Sequence, residues 1–438
     1  MDWKKIYESR KCSAEEAIKS IKSGDRVIFG HCVSEPTYLV DTLVAHAADY
    51  RDVTIAHMVS LGKGEYTKPE YKDNFRFEGL FCGASTRKCV EEGYGDFIPV
   101  YFSDVPKWIR KGILNYDVCM VMVSPPDEHG YCNIGVESGY TYQAIKSAKT
   151  VIAQVNSNVP RAYGDVSIHV NEIQKFVEKD MPLAQLAPPA IGDVELKIGE
   201  YCASLVEDGS TLQLGIGAIP DAVLASLKDR KNLGIHSEMI SDGVIDLYEA
   251  GAINCSEKTL HNGKMIVTFL MGTQRLYDFA NNNPMLELKP VDYVNDPVVV
   301  AKNNKLVSIN SALQVDFMGQ VVACTIGTKQ FSGVGGQVDF VRGAAMSEDG
   351  KGISIIAMPS ITKKKDGTVI SKIVPYIDHG AAVTTNRYDV DYIVTEQGIA
   401  KLRGKNLKDR ARALIDVAHP DVREELIKEF EKRYNTLY

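Results

Sequence analysis

Glu238 is the residue in this chain best placed to do chemistry. It stands in GIHSEMISDG (234–243), just after a short apolar run and two residues beyond His236. Upstream lies LQLGIGAIPD, in which Gly215 and Gly217 open a turn together with Gln213, Leu214 and Ile216. A carboxylate is a weak nucleophile. It becomes useful when it is held against an electrophilic carbonyl with N–H donors aimed at the oxygen that gains charge. A glycine turn supplies such donors, because no side chain obstructs its backbone. Acid and turn together predict covalent catalysis by Glu238 with an oxyanion hole beside it.

Other residues offer chemistry with a plainer alternative next to it. The second glycine cluster, FSGVGGQVDF (331–340), contains Gly335 and Gly336, and reads as a backbone brought close to a ligand or as a tight turn. Asn310, in SINSALQVDFMGQ, suits a substrate amide contact or a turn cap. On an extended strand His236 shares a face with Glu238, where it either tunes the acid or is a hydrogen-bonded structural histidine. His31 sits in a matching glycine turn of the N-terminal half and is a candidate to face the same cleft. Nicotinamide binding is disfavoured, since GxGxxG needs a third glycine where this chain has Pro220. His129 and Cys132 in VSPPDEHGYCNIG are two ligands without further partners, so a loop is expected there and no metal.

These side chains need elements to position them. Thr211–Leu214 reads as a strand. Pro220 and Asp221 suit the first turn of a helix, and Val223, Leu224 and Leu227 form its apolar face. Residues 233–236 read as the next parallel strand, which puts Glu238 at a strand's carboxyl end, where open α/β sheets bind ligands. The N-terminal half opens in the same way. Gly24, Gly30, Pro36, Leu39, Val40 and Leu43 match Gly209, Gly215, Pro220, Val223, Leu224 and Leu227 after a one-residue gap. Residues 53–62 then match 233–243, with His57 and Met58 at the level of the acid. The pattern predicts an internal duplication in which one copy carries the carboxylate.

Continuous apolar runs at 118–123, 151–155, 353–357 and 392–394 predict strands covered on both faces, hence parallel sheets. The expected fold class is α/β, with two open, mainly parallel sheets and helices on both faces. Domains are expected at 1–190 and 191–438, joined through 181–193, whose Pro188-Pro189 pair suits an extended linker. The ending HPDVREELIKEFEKRY predicts an amphipathic helix with Val422, Leu426, Ile427 and Phe430 inward. A length of 438 residues, 45% of them hydrophobic, provides enough apolar surface for two such cores. The net charge of −7 argues against non-specific nucleic-acid binding. Nine scattered cysteines without a CxxC pair fit a reducing cytoplasm, and the absence of a signal-like or membrane-length apolar run fits a soluble protein without a membrane partner.

Over nearly its whole length the chain resembles the acetyl-CoA hydrolase/transferase branch of the CoA-transferases. The resemblance is carried by FCGASTRK, IPVYFSDVP, VSPPDEHGYCNIG, LQLGIGAIPDAV, GIHSEMISDG, SINSALQVDFMGQV, GVGGQVDF and YIVTEQGIAKLRG, in that order. It implies duplicated α/β domains with an active site in the cleft between them, and Glu238 as the catalytic glutamate. Residues 213–217 (Gln213, Leu214, Gly215, Ile216, Gly217) correspond to the family's CoA-binding turn, and Gly335-Gly336 to the element that contacts the thioester. Asn310 and Ser360 lie in matching segments. The implied activity moves CoA between short carboxylic acids, with 4-hydroxybutyryl-CoA or butyryl-CoA and acetate as the expected substrates. It runs by a ping-pong route through a glutamyl-CoA thioester, with CoA as substrate and no tightly bound cofactor. Alternatives are an acyl-CoA hydrolase on the same scaffold and a non-catalytic sugar-phosphate sensor. A homodimer or homotetramer is the size-class expectation.

Overall fold

The computed structural model describes residues 2–438 and divides into two compact units. The first extends to Ala187 and also contains Ile266–Asn295 and Gln330–Gly335; the second comprises Pro188–Met265, Asp296–Lys329 and Gly336–Tyr438. The first change of unit falls at the Pro188-Pro189 pair. Two later segments return to the first unit, so neither unit is continuous in sequence.

The first unit is built on seven strands: β1 (Arg26–Phe29), β2 (Val53–Ala56), β3 (Phe75–Gly79), β4 (Gly95–Phe97), β5 (Val118–Val123), β6 (Thr150–Val155) and β7 (Lys175–Glu178). Their spatial order is β7-β6-β5-β1-β2-β3-β4, and every pairing is parallel. All six residues of β5 are buried, as a strand in the middle of a covered parallel sheet requires. Helix α1 (Thr37–Ala45) follows β1 and packs Leu39, Val40 and Leu43 into one core with Val27, Phe29 and Ile55.

The second unit repeats this plan. Its sheet contains β8 (Thr211–Gln213), β9 (Gly234–Ile235), β10 (Leu306–Asn310), β11 (Ile353–Ala357), β12 (Tyr392–Thr395) and β13 (Gly398–Lys401), in the order β9-β8-β10-β11-β12-β13. All pairings are parallel except the closing β12–β13 hairpin. In both units the first strand pairs on one side with the strand after its helix, and on the other side with a strand from much later in the chain. Each sheet therefore reverses direction beside its first strand, and a crevice is expected at the carboxyl ends there. Helix α2 (Asp193–Ser204) packs on α3 (Ala218–Ala225) so closely that a methyl at Gly199 would lie 2.7 Å from the Ala222 carbonyl carbon. The C-terminal helices, α4 (Leu407–Asp416) and α5 (Pro420–Tyr434), bring Leu414, Ile415, Leu426 and Phe430 into a core with Ile356 and Ile393. Val422 and Ile427 pack against it, as the amphipathic pattern predicts. Among the described residues no helix is long and apolar enough to cross a membrane.

Candidate active site

The carboxyl edge of the second sheet gathers most of the chemistry-bearing residues. In spatial order, Glu238 follows β9, Gln213 ends β8 and runs into the glycine turn, and Asn310 ends β10. Ser360 follows β11 and Glu396 follows β12. Parallel strands all end on the same side, so five separate stretches of sequence arrive at one edge.

Glu238 occupies a bend between buried neighbours and is itself only partly buried. Ser237 ties this bend to the glycine turn. Its hydroxyl donates to the Leu214 carbonyl at 3.0 Å and accepts from the Leu214 N–H at 3.3 Å. On the other side, the Ser241 hydroxyl donates to Asp221 in α3 at 3.4 Å. The expectation that His236 and Glu238 share a strand face does not hold: β9 ends at Ile235, and the alternation stops before the acid. His236 is fully buried, with Phe340 edge-on at 6.3 Å between ring centroids.

The turn itself is open. Gly217 has φ 114 and ψ 179, a conformation that essentially only glycine adopts, and it precedes α3 without any side-chain cap. The first N–H groups of α3 therefore point onward with no intrahelical partner. A methyl built on Gly215 or Gly217 would meet nothing within 4 Å. A cavity of about 310 Å³ opens here between the turn and the end of β10, with Glu195, Ile219, Asn310 and Ser311 in its walls. It lies where the sheet reverses direction, between β8 and β10.

Behind the cavity is a polar cluster. The Ser308 hydroxyl donates to Gln213 Oε1 at 2.7 Å, and Asn310 Nδ2 donates to Gln213 Oε1 at 3.1 Å and to Ser308 Oγ at 2.9 Å. Gln213 and Ser308 are buried, so of the three only Asn310 reaches the cavity wall. Further along the edge, Glu396 accepts from the Ser360 N–H at 2.8 Å and from the Ser360 hydroxyl. Burial alone raises the Glu396 carboxyl, but these hydrogen bonds outweigh it and hold the group below its ordinary range. Burial lowers the ammonium pKa of Lys372, and the neighbouring Glu396 charge offsets part of that shift.

The second glycine cluster lies where the chain changes unit. Gly335, with φ 54, belongs to the first unit, where its carbonyl accepts from Phe102 N–H at 3.4 Å. Gly336 belongs to the second unit and caps the helix Gln337–Ala345. From that helix Gln337 donates to the Ser311 carbonyl at 2.7 Å, which fixes the segment after Asn310. His31 is enclosed within the first unit. It is 1% exposed and stacked on Tyr140 at 5.3 Å, with its Nε2 3.6 Å from Glu137. His129 is exposed and Cys132 buried, and Asp127 orders their loop by accepting from the N–H groups of His129 and Tyr131.

Sequence reasoning passed over Ser237, Ser308 and Glu396. Glu396 carried a usable signal, since it follows the apolar run YIVT just as Glu238 follows its own strand. Ser237 and Ser308 carried none, because their importance comes from partners distant in the chain.

Residues 1–187 match the acetyl-CoA hydrolase/transferase N-terminal domain, and 272–430 match the corresponding C-terminal domain. A 4-hydroxybutyrate coenzyme A transferase of Clostridium kluyveri is 56% identical over 434 residues, covering 99% of this chain and 100% of that protein. A butyryl-CoA:acetate CoA-transferase of Anaerostipes caccae is 36% identical, covering 99% of this chain and 98% of that one. The crystal structure of a 4-hydroxybutyrate CoA-transferase from Porphyromonas gingivalis superposes with a TM-score of 0.84 at 41% identity, covering 99% and 100% of the two chains.

Proposed function

The chain belongs to the acetyl-CoA hydrolase/transferase family, and from that premise we propose that it transfers CoA between short-chain carboxylic acids, with Glu238 as the covalent carrier. The observation that supports this reading is the placement of Glu238 at the carboxyl edge of a parallel sheet, tied through Ser237 to an uncapped glycine turn. The activities of the Clostridium kluyveri and Anaerostipes caccae relatives favour 4-hydroxybutyryl-CoA or butyryl-CoA with acetate as the substrate pairs.

The steps balance without an added reagent. The Glu238 carboxylate attacks the thioester carbonyl, the C–S bond breaks, and an acyl–glutamyl anhydride forms with CoA thiolate. The thiolate attacks the glutamyl carbonyl, which releases the first carboxylate and leaves a glutamyl-CoA thioester. The acceptor carboxylate then attacks that thioester to form a new anhydride. The returning thiolate takes the new acyl group and regenerates Glu238. Each addition places negative charge on a carbonyl oxygen. Donors at the glycine turn, and at Gly336 of the same unit, are the groups proposed to hold it, each typically worth about 3–4 kcal/mol. Binding of the remote part of CoA can help to drive formation of the high-energy anhydride.

The test is chemical trapping. Incubation with acyl-CoA followed by borohydride should convert the Glu238 side chain to the primary alcohol, read by peptide mass. Glu238→Ala should show no conversion and a kcat lower by on the order of 10⁴-fold or more. An unmodified Glu238 peptide from turning-over enzyme would refute the covalent route.

A further inference from the structure

We infer that Ser237 is a positioning residue for the transfer reaction, because its one hydroxyl sets both the bend that carries Glu238 and the direction of the Gly215 N–H. The inference rests on the CoA-transferase reading and deepens it.

The hydrogen bonds of that hydroxyl carry the argument. A serine hydroxyl has one proton to give and lone pairs with which to accept. Ser237 is 1% exposed, donates to the Leu214 carbonyl at 3.0 Å and accepts from the Leu214 N–H at 3.3 Å. Those are the two groups that the chain after β8 would offer to a continuing β9. The backbone pairing extends as far as His236, whose N–H donates to the Leu212 carbonyl at 3.1 Å. One step further a side chain takes over from the strand. Residue 238 is thereby released to bend away from the sheet while the bend stays tied to the turn.

The same bond aims a donor. In a trans peptide the C=O and the following N–H point to opposite sides. Holding the Leu214 carbonyl on the β9 side therefore turns the Gly215 N–H toward β10, where the cavity lined by Gly215 opens. That N–H has no hydrogen-bond acceptor among the described residues.

The duplicated half shows what differs where the acid is absent. Arg26 pairs with Thr54 and Thr211 with Gly234. Since Gly24 matches Gly209, His57 stands in the place of Ser237 and Met58 in that of Glu238. His57 pairs its Nε2 with the Tyr66 hydroxyl at 2.6 Å, and the Phe29 carbonyl, counterpart of that of Leu214, accepts from the Tyr140 hydroxyl instead. Gly30, counterpart of Gly215, spends its N–H on the Met120 carbonyl of β5 at 3.2 Å. The copy without the acid holds its turn through a distant residue and uses up the glycine donor. The copy with the acid holds its turn through the acid's own neighbour and keeps the donor unspent.

The experiment compares Ser237→Thr with Ser237→Val, which add similar bulk and differ in the hydroxyl, and with Ser237→Ala, which adds none. Each enzyme is incubated with acyl-CoA and trapped with borohydride, so that the fraction of Glu238 converted counts the competent sites. Ser237→Thr should keep most of the wild-type rate. Ser237→Val and Ser237→Ala should lose about 10²-fold in kcat per competent site, the effect of a displacement of about 1 Å, with KM for acyl-CoA changed far less. A hydroxyl that serves folding alone lowers the number of competent sites and leaves the rate of each unchanged. Wild-type rates per site in Ser237→Ala, or a Ser237→Thr enzyme as slow as Ser237→Val, would overturn the inference while leaving CoA transfer intact. Wild-type enzyme that turns over with Glu238 unmodified would remove the covalent reading and this inference with it.

Discussion

Two buried ionisable groups in the first unit, His31 and Glu137, show what desolvation does at the scale of single residues. Burial pushes the Glu137 carboxyl up from 4.5 to about 8, and lowers His31 from 6.5 to about 3, with His57 acting in the same direction on His31. Both groups are therefore neutral near pH 7. Their contributions to stability follow from proton linkage. The folded Glu137 binds its proton more tightly than the unfolded one, so its contribution is complete below about pH 4.5 and is lost as pH rises toward about 8. His31 binds its proton less tightly when folded, so its contribution is complete above about pH 6.5 and is lost as pH falls toward about 3. Between 4.5 and 6.5 the two slopes oppose each other, and between 6.5 and 8 only Glu137 acts. The denaturant midpoint of the wild type should fall over that upper window, and Glu137→Gln should flatten the fall. An identical slope in the variant would show that another group is responsible.

At the scale of elements, the turn between β8 and α3 contains two glycines with different duties. Gly217 is needed for its backbone: at φ 114 any side chain is strained, although space is free around it. Gly217→Ala should cost about 1–3 kcal/mol of stability. Gly215 has no positive φ, and a methyl there would project into open space beside the cavity. Gly215→Ala should leave the thermal midpoint within a degree or so, since it strains and displaces nothing, yet raise KM for acyl-CoA severalfold by filling ligand space. Thermal unfolding and steady-state kinetics on the pair check both expectations. A Gly215→Ala enzyme with wild-type KM would place the ligand elsewhere.

At the scale of the whole molecule, transfer competes with hydrolysis, because water can intercept an anhydride or a thioester as an acceptor carboxylate does. A transferase should release little net thiol from acyl-CoA alone and exchange label rapidly once acetate is added. Steady thiol release that is indifferent to acetate would instead mark a hydrolase. Much of this molecule is legible in its sequence. The strand–turn–helix–strand units, their duplication, the buried parallel strands, the terminal helix and the acid after a strand all follow from local periodicity and from the backbone limits of glycine and proline, which act over a few residues. Other features need the assembled sheet. Asn310 alone is equally a turn cap or a contact, and only the strand pairing that brings Gln213 against it and Ser308 of its own strand fixes where its two N–H donors go. Glu396 and Ser360 become partners because β11 and β12 end side by side. Strand alternation does not reach from His236 to Glu238 because β9 stops at Ile235, three residues before the acid. The chain by itself determined which residues are able to react and which elements carry them. Tertiary structure decided who stands next to whom, because hydrogen-bond partners and burial depend on strands brought together from distant parts of the sequence.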